Sequence, residues 1–79
     1  DGQTAANLGI RPLARFVGYA VAAVAPERFG IAPAYAIPKL LEKTGVSLTN
    51  VGLIEFNEAF ATQVLAANRV FPLPMELVM

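Results

Sequence analysis

The stretch "VGLIEFNEAFATQVLA", residues 51–66, contains the clearest change of pattern in the sequence. Its first six residues form a short, mostly apolar run, which favours a buried strand. From Asn57 onward the apolar side chains recur with a period of 3.6, which is typical of a helix with one buried face. The residues on that face are Phe60, Val64 and Ala67. The stretch therefore predicts a strand that passes almost directly into a helix.

Further elements are predicted before this stretch. Residues 4–8 fit the last turn of a helix that ends at Gly9, so the sequence is expected to begin inside this helix. Residues 15–24, "RFVGYAVAAV", are apolar on both alternating faces, which favours a strand buried on both sides. Their alanines leave a helix as the rival interpretation. Residues 26–33, "PERFGIAP", are expected to form a loop because a proline stands at each end.

A longer helix is predicted for "AYAIPKLLEKTG". It is expected to begin near Ala34 or Tyr35 and to end at Gly45, because glycine readily takes the left-handed conformation that terminates helices. Pro38 is compatible with this helix only close to its first turn, where backbone N–H groups lack intrahelical partners.

The remaining predicted elements are short. A turn is expected at residues 49–50, and residues 75–79, "MELVM", are expected to begin a third strand. The chain then has two or three strands alternating with helices, which indicates the α/β class with at least partly parallel pairing. Two or three strands cannot form a protected sheet, because their edges and faces stay uncovered. Residues 1–79 are therefore expected to be a single partial domain.

The composition supports this interpretation. Hydrophobic residues make up 56% of the 79 residues and charged residues 15%, whereas soluble domains average about 45–50% and about 25%. A small domain has much surface for its volume and should be more polar than average. Other protein is therefore expected to cover much of this surface, as in a piece of a larger domain or an embedded subunit.

Composition also excludes several function classes. The formal net charge is +0 and the basic residues are scattered, so nucleic-acid binding is not expected. The longest apolar run, residues 16–25, is about half the roughly 20 residues that span a membrane. With no Cys and no His, the sequence offers no disulfide, no Cys-ligated zinc, no Cys nucleophile and no His base, and no metal site is expected.

Three polar side chains lie at the strand–helix junction. Asn57 is predicted to be the N-cap of the helix, its side-chain oxygen accepting from the N–H of Ala59 or Phe60. The same residue could also point an amide into a cleft at the carboxyl end of a strand, where open α/β sheets bind ligands. Glu58 is expected in the first helical turn, and an acid/base pair of Glu55 with Glu58 is the less favoured interpretation.

The junction also carries a family resemblance. "NEAFA" after "LIEF" resembles the thiolase family, and the likeness extends over residues 9–66, through "RPLAR", "GYAVA" and "FGIAPAYAIPKLLEKTG". The resemblance implies two similar α/β halves packed as a layered sandwich. On this basis the chain is expected to be a fragment from the beginning of the thiolase C-terminal half.

The resemblance implies acyl transfer between CoA thioesters: cleavage of 3-ketoacyl-CoA with CoA, or condensation of two acyl-CoA molecules. The family uses a Cys nucleophile with a His and a second Cys as proton carriers, all outside these 79 residues. The chain alone is therefore expected to be inactive and to bind no cofactor, with the CoA thioester as substrate of the whole enzyme. The remainder of the thiolase chain and a homo-oligomer are the expected partners, and a bacterial source would imply a cytoplasmic location.

The resemblance also assigns residues. By position, Asn57 takes the role of the family asparagine that orders a water near the thioester oxyanion. Ala59 and Phe60 correspond to residues that border the pantetheine and acyl end of the substrate. Phe29 stands where the family usually has a Met in that pocket, and Ala32 replaces the usual Gly before Pro33.

Two questions stay open at this level. "GIAPAYAIPKLL" favours a degradative 3-ketoacyl-CoA thiolase over a biosynthetic acetoacetyl-CoA one. The alternative function is a non-enzymatic packing or interaction module of thiolase descent, and an unrelated α/β domain is a third possibility. An apolar surface of this kind would favour assembly.

Overall fold

A computed structural model describes all 79 residues of the chain. It contains three α-helices, which are α1 (Gly2–Asn7), α2 (Pro33–Thr44) and α3 (Ala61–Val70). Three short 3₁₀-helices lie between or after them, at Pro26–Ile31, Leu48–Asn50 and Met75–Leu77. The segment predicted as a loop before α2 is thus mostly a 3₁₀-helix. None of the helices has the length and apolar content needed to cross a membrane.

Helix α1 has a cap at each end. The Asp1 carboxylate accepts a hydrogen bond of 2.7 Å from the backbone N–H of Thr4, which satisfies one of the free N–H groups of the first turn. Gly9 follows the helix with φ of 64°, as predicted. The sequence pattern predicted only the last turn of this helix, whereas its first turn is also formed and capped.

Helix α2 follows the predicted boundaries closely. It begins at Pro33, one residue before the predicted start, and Gly45 ends it with φ of 69° and ψ of 11°. Pro38 lies inside the helix, in its second turn rather than its first. Because proline has no N–H, the carbonyl of Ala34 receives no intrahelical hydrogen bond from it.

We expect Gly45→Ala to lower the free energy of unfolding by about 1–2 kcal/mol, because a Cβ strains the left-handed backbone. Gly52→Ala is the matched control, since Gly52 has no positive φ and a Cβ there meets no atom within 4 Å. Urea denaturation of both variants and the wild type measures the difference. Equal losses for the two variants would contradict the assignment of strain to Gly45.

Residues 15–24 do not form the predicted strand. No backbone–backbone hydrogen bond involves residues 11–24, although burial alternates with a period of two. The partly buried residues of the segment are Gly18, Ala20, Ala22 and Val24, and the exposed ones include Val17, Tyr19 and Val21. The prediction of burial on both sides is therefore wrong, because one face of the segment is exposed and no neighbouring strand pairs with it.

Contacts with α2 hold this segment in place. A Cβ built on Gly18 would lie 2.9 Å from Cγ2 of Thr44, so the backbone approaches α2 closely there. Lys39 donates from Nζ to the carbonyl of Val21 at 3.0 Å. Lys43 donates to the carbonyl of Tyr19 at 3.2 Å, and its Nζ lies 4.9 Å from the centre of the Tyr19 ring.

The predicted strand of residues 51–56 meets the end of the chain in a single parallel bridge, between Ile54 and Val78. Ile54 N–H donates to Leu77 O and Met79 N–H donates to Ile54 O, each at 2.8 Å, and Phe56 N–H donates to Met79 O at 3.2 Å. Parallel pairing is thus present over one bridge, while strands of the predicted length are not confirmed.

The core is very small. The four buried residues are Ala34 in α2, Val64 and Ala67 in α3, and Leu73 after α3. The accessible surface is 6268 Å², whereas a compact protein of 8.4 kDa exposes about 4,600 Å². The radius of gyration is 15.6 Å, against about 12 Å for a compact domain of this length. The open shape agrees with the expectation that other protein covers this surface.

Candidate functional site

The junction before α3 differs from its sequence-based description. Helix α3 begins at Ala61, its N-cap is Phe60 with extended backbone, and no side chain caps it. Asn57 therefore lies outside the helix, and its prediction as N-cap is wrong. Its backbone carbonyl accepts from Ala59 N–H at 3.1 Å, so a tight turn separates the two elements. Glu58 lies in this turn and not in the first helical turn, which is a second correction.

Two neighbouring clefts open on either side of this region. The first, which we call the phenylalanine cleft, has a volume of 310 Å³. It brings together Phe29 and Phe60, two of the four predicted site residues, which are 65% and 63% exposed. Its other lining residues are Glu27, Arg28, Gly30, Ile31, Thr62, Gln63 and Ala66. Phe60 is thus a cleft wall rather than a core residue.

The second cleft, the Asn57 cleft, has a volume of 410 Å³. It contains the exposed side chain of Asn57 together with Pro33, Ile37, Ile54, Glu55, Phe56 and Gln63. Ala59 lines neither cleft, although its N–H holds the turn that presents Asn57. The structure therefore groups Phe29 with Phe60 and places Asn57 in an adjoining space.

The sequence-based interpretation missed Gln63. This residue lines both clefts, and its side-chain oxygen Oε1 is buried with no hydrogen-bond partner. The available signal was its position in the first turn of α3, beside the buried Val64. Its burial depends on the packing of the 3₁₀-helix Pro26–Ile31 against α3, which local pattern does not reveal.

The chemistry that these residues can perform is limited. Glu55 lines the Asn57 cleft and Glu58 does not, so the two carboxylates share no cleft. No group of three or more acidic side chains comes together to hold a metal ion. Without Cys or His, the clefts combine two amides and aromatic walls with the charged side chains of Glu27, Arg28 and Glu55. These groups can bind and orient a substrate, but they include no cysteine that could carry an acyl group.

Comparisons with known proteins match most of the chain. The family described as "Thiolase, C-terminal domain" matches residues 10–79. The probable acetyl-CoA acetyltransferase of Dictyostelium discoideum is 50% identical over 66 residues, which are 84% of this chain and 16% of that protein.

Solved structures show the same likeness. The acetyl-CoA acetyltransferase of Bacillus anthracis superimposes with a TM-score of 0.92 at 50% identity, over 96% of this chain and 19% of that one. The peroxisomal 3-ketoacyl-CoA thiolase of Saccharomyces cerevisiae, a five-layered α-β-α-β-α structure, superimposes with a TM-score of 0.88 at 37% identity, over 95% of this chain and 22% of that one.

These matches confirm the family resemblance and the layered α/β architecture of its relatives. The chain spans less than a quarter of the length of the relatives it matches. The family match itself covers all but the first nine residues. The chain therefore belongs to the thiolase family.

Proposed function

We propose that these residues form part of an acyl-CoA acyltransferase, which cleaves 3-ketoacyl-CoA with CoA or condenses two acyl-CoA molecules. The proposal rests on the family match over residues 10–79, which includes the Asn57 junction. Residues 1–79 would then be one partial domain of the enzyme. Both acetyl-CoA acetyltransferases and 3-ketoacyl-CoA thiolases are among its relatives, so the preferred acyl chain is a separate question.

Asn57 is proposed to act through its neutral amide. The side chain is exposed in its cleft and is free of any helix-capping bond. An amide can hold a water molecule as a hydrogen-bond donor toward a thioester oxygen that becomes negative in the transition state. Backbone hydrogen bonds of Phe56 N–H and Ala59 N–H hold the chain on both sides of Asn57, so the amide would act from a fixed backbone position when this charge develops.

Phe29 and Phe60 are proposed to bind the apolar part of the substrate. Both rings are largely exposed to one cleft, and covering them with an acyl or pantetheine chain would remove apolar surface from water. Phe29 is bulkier and more rigid than a methionine at this place. Ala59 lines neither cleft and would contribute to the site through its backbone N–H, which closes the turn at Asn57.

The remaining chemistry must come from outside these residues. The 79 residues contain no Cys and no His, so the acyl-carrying nucleophile and the proton carriers would be supplied by the remainder of the thiolase chain. A homo-oligomer is proposed for the complete enzyme, in keeping with the large uncovered apolar surface of this part.

A direct test compares the 79-residue protein with a full-length polypeptide that carries it. We expect the full-length protein to convert acetoacetyl-CoA and CoA into acetyl-CoA, and the 79-residue protein to form none above the uncatalysed rate, since it has no Cys to carry the acyl group and no His to move protons. Chromatography of the CoA thioesters measures the product. Longer 3-ketoacyl-CoA substrates tested in parallel report the acyl preference.

Two outcomes would contradict the proposal. Thiolysis by the 79-residue protein would show that the reaction does not require a nucleophile from the remainder of the chain. If the full-length protein cleaved no 3-ketoacyl-CoA, the proposed enzymatic function would be refuted.

One observation favours a second candidate, the non-enzymatic interaction module. Phe16, Val17, Tyr19 and Val21 expose between 64% and 79% of their surface, and apolar patches of this kind often bind other protein. If this function is correct, the full-length protein has no acyltransferase activity, and the 79-residue protein associates with itself or with another thiolase chain in size-exclusion chromatography.

A further inference from the structure

Gln63 occupies an unusual position between the two clefts. It lies in the first turn of α3, where its N–H donates to Phe60 O at 3.0 Å. Its side-chain stem packs against Gly30, because a Cβ built on Gly30 would lie 3.4 Å from Cγ of Gln63. The stem is therefore held between α3 and the 3₁₀-helix Pro26–Ile31, and Gln63 as a residue lines both clefts.

The amide oxygen of Gln63 lacks a hydrogen bond. Oε1 is buried and has no donor within reach, and such groups are rare in native proteins because their desolvation is uncompensated. The helix does not use the side chain as a cap. A polar group that is held in place, lines two clefts and lacks a donor is suited to bind a ligand that supplies one.

We propose that Gln63 is a substrate-binding residue, whose side-chain oxygen accepts a hydrogen bond from the amide N–H nearest the sulfur of a CoA thioester. This inference rests on the proposed function, in which Asn57 lies near the thioester and the two phenylalanines line the adjoining cleft. With the substrate placed in this way, Gln63 would lie beside the atoms next to the thioester, because it lines both clefts. The thioester has no donor, whereas the first amide, two carbons from the sulfur, has one.

A small rotation is sufficient for this role. The last torsion of a glutamine side chain has a broad energy minimum, so the amide can turn toward either cleft while its stem stays packed on Gly30. The bond to the ligand would satisfy an oxygen that is unsatisfied in the free protein. This hydrogen bond would therefore strengthen substrate binding, because the Gln63 oxygen has no competing donor in the free protein.

The test uses the full-length protein and two truncated substrates, the acetoacetyl thioester of N-acetylcysteamine and its analogue with an ester oxygen in place of the amide N–H. Gln63→Met keeps a similar volume but removes the acceptor. We expect it to lower kcat/KM for the amide substrate about 5- to 30-fold and for the ester analogue less than about twofold. The thermal midpoint of unfolding of Gln63→Met should not fall below that of the wild type, because the substitution removes a buried oxygen that has no hydrogen bond.

Controls separate the possible outcomes. Gln3→Met, the same change in the exposed α1, should leave both substrates unaffected, and Gln63→Ala repeats the test if Gln63→Met does not fold. Equal losses on both substrates, or no loss on either, would overturn the inference while the wild type stays active. A wild-type protein that cleaves neither thioester, nor acetoacetyl-CoA, would instead refute the proposed function.

Discussion

Replacement of Asn57 by alanine is expected to lower kcat for cleavage of 3-ketoacyl-CoA about 100- to 1,000-fold in the full-length protein. The reason is the loss of a fixed amide that would hold a water toward developing negative charge. This interaction is stronger in the transition state than with bound substrate, so KM should change much less than kcat. Steady-state kinetics with acetoacetyl-CoA at saturating CoA measures both constants.

Two further variants sharpen the Asn57 test. Asn57→Asp has nearly the same shape but places negative charge near the oxyanion, so its loss of kcat should be at least as large as that of Asn57→Ala. Asn50→Ala changes an exposed asparagine outside both clefts and should retain full activity. A fall of less than about threefold for Asn57→Ala, well below the usual effect of an oxyanion donor, would contradict the role assigned to Asn57.

Ala67→Leu is expected to destabilise the protein by about 1–3 kcal/mol, because it forces extra methylene groups into a closely packed contact. Ala67 is only 2% exposed, and the buried residues of this chain include no side chain larger than leucine. Ala34 lies in α2 and Ala67 in α3, and these two helices are in contact. Urea denaturation of the full-length variant measures the loss.

The matched control for this substitution is Ala6→Leu, which adds the same side chain to an exposed position of α1. It should alter the free energy of unfolding by no more than about 0.5 kcal/mol. If both variants are equally stable, the α2–α3 contact contains room that the structure does not show, and Ala67 has no special packing role.

Local features of the sequence predicted where α1 and α2 end and two of the three residues assigned to the buried face of α3, Phe60 being exposed instead. Gly9 and Gly45 both take positive φ after a helix, and this outcome depends only on a few neighbouring residues. Val64 and Ala67 are buried as their spacing predicted. The family resemblance had an equally local basis, because the "NEAFA" stretch and its flanking residues are continuous in the chain.

Features that depend on distant partners were predicted less well. The strand at residues 15–24 needs neighbouring strands for its hydrogen bonds, and none lies beside it. The N-cap prediction for Asn57 failed because a backbone turn ending at Ala59 moves the helix start to Ala61. Gln63 was missed because an unsatisfied buried oxygen results from packing between two segments and has no signature in either.

The two lysine contacts of α2 have a consequence for the free edge of residues 15–24. Four residues of helix advance about 6 Å, and two residues of extended chain advance nearly the same distance. The two lysines are therefore spaced to donate hydrogen bonds to alternate carbonyls of the segment, Lys39 to Val21 and Lys43 to Tyr19. Charged side chains on an exposed edge discourage pairing with strands of other molecules, so the two lysines are expected to hinder aggregation through this segment.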